Sequence, residues 1–236
     1  GDKPANDLLV EFEEKIFKKN LLQKGEKFID TVCQYCSLYF DVFEDYSIFS
    51  KHPTKNKIIS ILFIMNAEFK SNEWKAPVIQ YVQKFGLVDF ENFISLIEMK
   101  YLEGWINGQL KDNRIVAFGS IVKAIAAAKT TKEILDSPLF AYDRAETINQ
   151  LNGNVYNKSY CKYILSRLEL LTSEHDVEKK IKAKSIEHIL PQNPDSPSEW
   201  NSHFTEEQKE EWMHRLANLV LLSKSKNSAA RNFNFA

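Results

Sequence analysis

Apolar residues recur at intervals of three and four from about residue 6 to residue 173. Because an α-helix has about 3.6 residues per turn, side chains at this spacing share one helical face. One clear stripe contains Phe90, Phe93, Ile94, Ile97, Tyr101 and Trp105, and a second contains Tyr160, Tyr163, Ile164, Leu168 and Leu171. The pattern predicts helices in 7–20, 25–44, 55–68, 74–85, 89–105, 114–128, 142–151 and 158–171. No repeat of about 20 to 50 residues is apparent, which favours a compact helical array over a solenoid.

The pattern changes at residues 172–184, TSEHDVEKKIKAK, which are charged and lack an apolar stripe. A charged segment of this kind is typical of a joint between two parts of a chain. The sequence therefore predicts a helical linker or scaffold domain at 1–173 and a second domain at 174–236.

The second domain begins with a β-prone segment, KSIEHIL at 184–190, which is followed by a proline-rich polar loop at 191–204. A charged helix, TEEQKEEWMHRL at 205–216, then leads to the apolar run NLVLL at 218–222. The last segment, KSKNSAARNF at 224–233, is helix-like. This order predicts a ββα unit with a loop and a helix inserted between its strands. The expected fold class is mainly α, with a multi-helix domain followed by this small ββα domain.

The first predicted strand ends in Glu187 and His188, a pair that suits hydrolysis of a phosphodiester. This reaction requires a general base for water and a divalent cation that stabilises charge on the phosphate. An imidazole titrates near pH ~6.5, so His188 can act as the base in a cell. Glu187 offers an anionic oxygen and Asn227 a neutral one, and such ligands suit Mg²⁺ or Mn²⁺. Neighbouring strand residues point to opposite faces, so we expect the strand to fray before Pro191 for Glu187 and His188 to share a site.

Asn218 directly precedes the second predicted strand, where a side-chain amide can hold the inserted loop through backbone hydrogen bonds. Beyond Glu211 the chain has no acidic residue, whereas Lys224, Lys226 and Arg231 are basic. A locally cationic element is typical of a surface that faces phosphates. Because the whole chain has a net charge of -1, any such surface must be local.

The remaining composition indicates a reduced, cytoplasmic protein. The three cysteines cannot all pair, and the N-terminus has no secretion signal. The longest apolar run, IISILFIM at 58–65, is too short to span a bilayer, so we expect no membrane partner. Cys33 and Cys36 have metal-like spacing, but they lie in a helical stripe without a second pair, which favours buried free thiols.

The phrases IEHILPQNP and HRLANLVLLSKSKN resemble the C-terminal HNH-type nuclease domain of GmrSD-like restriction endonucleases. The resemblance extends from about residue 185 to residue 235. It implies that the ββα unit is a ββα-metal (HNH) nuclease fold. This modification-dependent (type IV) family includes phosphorothioation-sensing antiphage nickases, and its members nick or cut DNA that is often foreign or modified.

The same resemblance implies a role for each matching residue. His188 becomes the general base, Asn218 the residue that fixes the loop, and Asn227 a metal ligand. Glu187 takes the place of the acidic ligand beside the base, with Mg²⁺ or Mn²⁺ as the cofactor. The family's N-terminal nucleotide-hydrolysing sensor domain is absent from this sequence, so we expect a C-terminal part of a longer protein. The predicted function is a metal-dependent, nicking DNA endonuclease of an antiphage restriction protein.

Other interpretations of the same residues remain open. The ββα unit can be a degenerate HNH remnant in a catalytically inactive module that binds DNA or protein. RNA is a possible substrate, because ββα-metal chemistry does not use the 2′-hydroxyl. His214 continues the pattern of the charged helix, which favours a surface or packing role over a ligand role.

Overall fold

The computed structural model describes residues 5–181, 185–194 and 196–222. The predicted final helix and four predicted site residues, Lys224, Lys226, Asn227 and Arg231, lie outside these ranges. The described part is mainly helical, as the sequence predicts. Its β-structure is a two-stranded sheet.

Most of the α-helices coincide with the predicted stripes. The α-helices are α1 Ala5–Phe12, α2 Glu26–Phe43, α3 Lys55–Glu68, α4 Lys75–Phe85, α5 Phe90–Ile106, α6 Lys111–Ala127, α7 Thr131–Leu135, α8 Arg144–Asn152, α9 Cys161–Leu171, α10 Glu199–His203 and α11 Glu206–Trp212. Helix α1 ends earlier than predicted, and α7 and α10 lie where the sequence predicts no helix. The strands are β1 Ser185–His188 and β2 Leu219–Leu222.

The chain divides into two compact units, Gly1–Ile48 and Phe49–Ala236. The predicted domain boundary after residue 173 stays a prediction. In the first unit α1 continues into a π-helical turn at Glu13–Phe17, and Phe28 of α2 makes edge-to-face contacts with Phe12 and Phe17. Cys33 and Cys36 are exposed on α2, so the prediction that they are buried thiols is wrong.

Helix α3 is the centre of the second unit. The apolar run at 58–65 is almost completely buried there, because α3 is covered on several sides rather than along one stripe. No helix in the described ranges is both long and apolar enough to cross a bilayer.

A buried charge network joins α5 to α9. The Glu98 carboxylate accepts hydrogen bonds from the Tyr163 hydroxyl at 2.8 Å and from the Arg167 guanidinium at 2.7 Å. Burial, followed by the nearby Glu98 charge, raises the pKa of Tyr163 well above its ordinary value, so its hydroxyl stays a donor. Helix α9 in turn packs against α3 and β2. The network therefore fixes the helix on which the sheet rests.

The predicted joint between the two domains lies against α3. The Asn56 amide donates hydrogen bonds to the carbonyl oxygens of His175 and Asp176, at 3.0 and 2.8 Å. The Ser60 hydroxyl accepts a hydrogen bond from the backbone N–H of Lys179 at 2.8 Å. These contacts hold the backbone of residues 175–179 against α3, a few residues before β1 begins.

The two strands pair antiparallel, with Ser185 opposite Leu222 and His188 opposite Leu219. The insertion between them contains two short helices, α10 and α11, where the sequence predicts one. Thr205 and Gln208 form a capping box at the start of α11, which the spacing of Thr and Gln in TEEQ encodes. Helix α11 ends at Trp212, earlier than predicted.

We expect the replacement of Glu98 by alanine to lower the free energy of unfolding by about 3 kcal/mol, because it leaves Arg167 and Tyr163 without their acceptor. Glu98→Gln should lose less, because it keeps one oxygen. Urea denaturation measures both changes. The exposed Glu174→Ala is the control, and we expect it to stay within about 0.5 kcal/mol of the wild type. Equal effects of Glu98→Ala and Glu174→Ala would contradict this role of the network.

Candidate active site

His188 is the last residue of β1 and lies at the edge of the inserted loop. It is half-buried, and its partner Leu219 on β2 is buried. Directly opposite residues of an antiparallel pair share a face of the sheet. The strand therefore sets the imidazole on the face that carries Leu219, at the point where the chain leaves the sheet.

Both ring nitrogens of His188 have polar neighbours. Its Nε2 lies 3.1 Å from Nδ1 of His214. The Gln192 amide nitrogen lies 3.2 Å from Nδ1 of His188 and 3.3 Å from Nε2. His214 belongs to the turn after α11, and Gln192 belongs to the loop after β1. The two ends of the insertion therefore meet at His188.

Tyr156 adds an aromatic wall from the loop between α8 and α9. Its ring centroid lies 4.3 Å from that of His188 and 5.3 Å from that of His214, with the His214 ring stacked at 15°. The backbone N–H groups of Val155 and Tyr156 donate to the His214 carbonyl at 2.9 and 3.3 Å. A segment before the predicted boundary at 173 therefore forms part of the site.

Asn218 holds the ends of the insertion together through its side chain. Its Oδ1 accepts a hydrogen bond from the Leu190 N–H at 2.7 Å, and its Nδ2 donates to the carbonyls of Met213 at 2.9 Å and Leu190 at 3.3 Å. Its backbone carbonyl accepts from the Ile189 N–H at 2.9 Å. These bonds are local and buried, and they fix the chain on both sides of His188. A catalytic role of Asn218 stays a prediction.

The contacts of the turn also explain where α11 ends. The Met213 carbonyl accepts a hydrogen bond from the Asn218 side chain, and the His214 carbonyl accepts from the backbone N–H groups of Val155 and Tyr156. These donors take the place of the N–H groups of a further helical turn. A helix leaves its last carbonyl groups unbonded, so partners outside the helix allow it to stop. Ending the helix here places His214 against His188, although the sequence pattern favours a surface or packing role.

The described residues do not complete a metal site. Among them, no group of three His, Cys, Asp or Glu side chains is placed to hold an ion. Glu187 supplies a hard oxygen, but β1 is regular through His188, so the two side chains alternate to opposite faces. The expected fraying before Pro191 is absent at these two positions. Asn227, the other predicted ligand, lies outside the described residues.

The pKa of His188 is lowered from its ordinary value. Burial is the main cause, the nearby His214 acts in the same direction, and the Glu187 carboxylate opposes both. A lowered pKa keeps the imidazole neutral at pH 7, which is the form that accepts a proton. The electrostatic environment therefore suits a general base.

A cavity of about 590 Å³ opens beside this cluster. Gln192 and His214 line one side, and residues of α10 and α11 line the other, including Asn201, Glu206, Lys209 and Glu210. The Lys209 ammonium is bonded to Asn201 at 2.8 Å and to Glu206 at 2.7 Å. The cavity is thus lined by amides and by more carboxylates than ammonium groups.

Comparison with known proteins gives a family match for part of the chain. Residues 142–236 match the family described as GmrSD restriction endonucleases, C-terminal domain. The match confirms the resemblance found in the sequence and suggests a nuclease of the restriction type. No curated protein and no solved structure matches the chain.

The match begins at residue 142, well before the first of the motifs that carry the resemblance. It includes α8, the Tyr156 loop and α9, on which β2 packs. Sequence reasoning missed Tyr156, Gln192 and His214 as members of the cluster. Gln192 lies within the motif IEHILPQNP and His214 within the motif HRLANLVLLSKSKN. No recognised motif surrounds Tyr156, so the sequence gives no indication that it contributes to the cluster.

We expect Asn218→Ala to lower the free energy of unfolding by about 2–3 kcal/mol, because it leaves the buried Leu190 N–H and two carbonyls without partners. Chemical denaturation measures this loss. Asn193→Ala is the matched control, because Asn193 is exposed on the loop that follows β1 and contains Leu190. This change should lower the free energy of unfolding by less than about 0.5 kcal/mol. A loss for Asn218→Ala no larger than that of the control would show that the tether does not stabilise the fold.

We expect the His188 imidazole to titrate below pH 6.5 in the folded protein, because its environment disfavours the charged form. NMR titration of the ring resonances, assigned with His188→Gln, measures the midpoint. As pH falls, His188 is protonated in the unfolded chain before it is protonated in the folded protein. The free energy of unfolding therefore decreases as pH falls from about 6.5 through the folded pKa. Glu187→Gln should lower the midpoint further. A midpoint at or above 6.5 would contradict the effect of burial.

Proposed function

We propose that the chain is a metal-dependent endonuclease that nicks DNA, with His188 as the general base. The observation that carries the proposal is the position of His188, whose imidazole lies at the end of β1 within the region that matches the GmrSD C-terminal domain. Burial lowers the pKa of this imidazole, which favours its neutral form. The family indicates nuclease chemistry, and hydrolysis of a phosphodiester needs a base of this kind.

In the proposed reaction His188 takes a proton from a water molecule. The water oxygen forms a bond to phosphorus as the bond to the leaving sugar oxygen breaks, and the leaving oxygen takes a proton from solvent. Asn218 contributes by holding the loop that surrounds His188. Glu187 and Asn227 are the proposed ligands of Mg²⁺ or Mn²⁺, which when bound neutralises charge on the phosphate and leaving oxygen.

The proposed DNA contacts divide between two surfaces. Lys224, Lys226 and Arg231 are the proposed phosphate contacts, because their segment of sequence is cationic and lacks carboxylates. The cavity beside His214 contains Glu206 and Glu210 and suits an uncharged sugar or base better than a phosphate. One proposed site per chain favours a nick over a double-strand cut. The family name supports a restriction endonuclease, and the resemblance found in the sequence implies foreign or modified DNA as the target in antiphage defence.

The test is incubation of supercoiled plasmid with the protein and Mg²⁺ or Mn²⁺. We expect nicked circles from the wild type, no cleavage in EDTA, and loss of about 10²–10⁴-fold in rate for His188→Ala. Asn227→Ala should raise the metal concentration that is required. His203→Ala, an exposed histidine on α10, is the control and should cut like the wild type.

Equal cleavage by wild type and His188→Ala would refute the role of the base. Absence of cleavage with either metal, from a folded protein that still binds DNA, would favour the alternative of an inactive binding module. A matched RNA duplex in the same assay separates a deoxyribonuclease from a nuclease that accepts both polymers.

A further inference from the structure

We propose that His214 is a positioning residue for His188, which it holds in one orientation and one tautomer. The proposal rests on the proposed function for its effect on cleavage, but its structural part concerns the free protein. It starts from the contact of 3.1 Å between Nε2 of His188 and Nδ1 of His214.

The contact between the two rings allows either ring to be the donor. The Gln192 amide nitrogen lies 3.2 Å from Nδ1 of His188 and 3.3 Å from Nε2, so it contacts both ring nitrogens and does not by itself select a tautomer. In the proposed arrangement the ring proton of neutral His188 lies on Nε2, where it donates to Nδ1 of His214 at 3.1 Å. The lone pair that can accept a proton from water is then on Nδ1 of His188.

His214 is itself held from two sides. Its backbone carbonyl accepts hydrogen bonds from the Val155 and Tyr156 N–H groups at 2.9 and 3.3 Å. Its ring stacks on that of Tyr156 at 15°, with centroids 5.3 Å apart. The backbone bonds do not depend on the His214 side chain, so changes of that side chain leave the anchor in place.

The proposed arrangement also indicates which ring nitrogen serves the attacking water. Gln192 is exposed on its loop, and its amide nitrogen contacts both ring nitrogens of His188, at 3.2 and 3.3 Å. Because Nε2 also faces His214 at 3.1 Å, Nδ1 is the nitrogen that is left for the water. Loss of the His214 acceptor would free the ring to rotate and to exchange tautomers.

Three variants separate positioning from packing. His214→Phe keeps a flat ring on Tyr156 but has no acceptor. His214→Asn loses the ring but places Oδ1 close to the position of Nδ1, so it keeps an acceptor. His214→Ala loses both. Their rates of plasmid nicking and their DNA affinities are compared with the ¹⁵N NMR signature of the His188 tautomer, measured without metal or DNA.

We expect the nicking rate to fall about 10–100-fold in His214→Phe and His214→Ala, the range found when outer-shell partners are removed. The rates are compared at saturating DNA, because His214 also lines the cavity that is proposed to contact DNA. His214→Asn should recover most of the lost rate. NMR should show the Nε2–H tautomer of His188 in the wild type and in His214→Asn, and a mixture in the other two.

The opposite order, with His214→Phe close to wild type and His214→Asn impaired, would show that the ring only packs. An Nδ1–H tautomer of His188 in the wild type would also overturn the proposal. If even the wild type does not cut DNA, the proposed function fails, while the NMR comparison still decides whether His214 positions His188.

Discussion

The Asn218 side chain is the interaction on which the geometry of the site depends. Its amide bonds the backbone after β1 and the backbone after α11, and its own main chain directly precedes β2. The insertion between the strands contains two short helices and several prolines, and the strand pairing and the backbone bonds to His214 also hold its ends. Because buried polar groups without partners are costly, the arrangement that satisfies the groups bonded to Asn218 is favoured. That arrangement brings Gln192 and His214 to His188.

The helical part contributes more than a support for the sheet. The Glu98 network fixes α9 on α5, β2 packs on α9, and the loop that precedes α9 carries Tyr156 to the His188 ring. A chain of contacts thus connects the buried core of the second unit to the candidate base. It also gives a physical reason why the family match begins at residue 142, since β2, which carries the buried Leu219 and Leu221, packs on α9.

Much of this fold is predictable from local pattern, whereas the composition of the site is not. Helices α3 to α6 follow the spacing of apolar residues to within a few positions, and Thr205 with Gln208 marks the start of α11. His188 and Asn218 stand out in the sequence because both lie within the motifs that carry the family resemblance. His188 ends β1, and Asn218 directly precedes β2. Tyr156 and His214 do not, because their proximity to His188 arises from long-range packing and from hydrogen bonds that end α11 early. Spacing along the sequence contains no information on such contacts.

The regular pairing of β1 changes how Glu187 and His188 are understood together. A site shared by both side chains requires the strand to fray, yet the pair remains in register with Val220 and Leu219. In an in-line displacement, the attacking water and the leaving oxygen lie on opposite sides of a single phosphorus atom, so a base and a metal ligand must both come within a few ångströms of it. Side chains on opposite faces of a regular strand point away from each other, with the strand between them. The register of β1 therefore sets His188 at the cluster with His214 and Tyr156, and it directs Glu187 to the other face of the sheet.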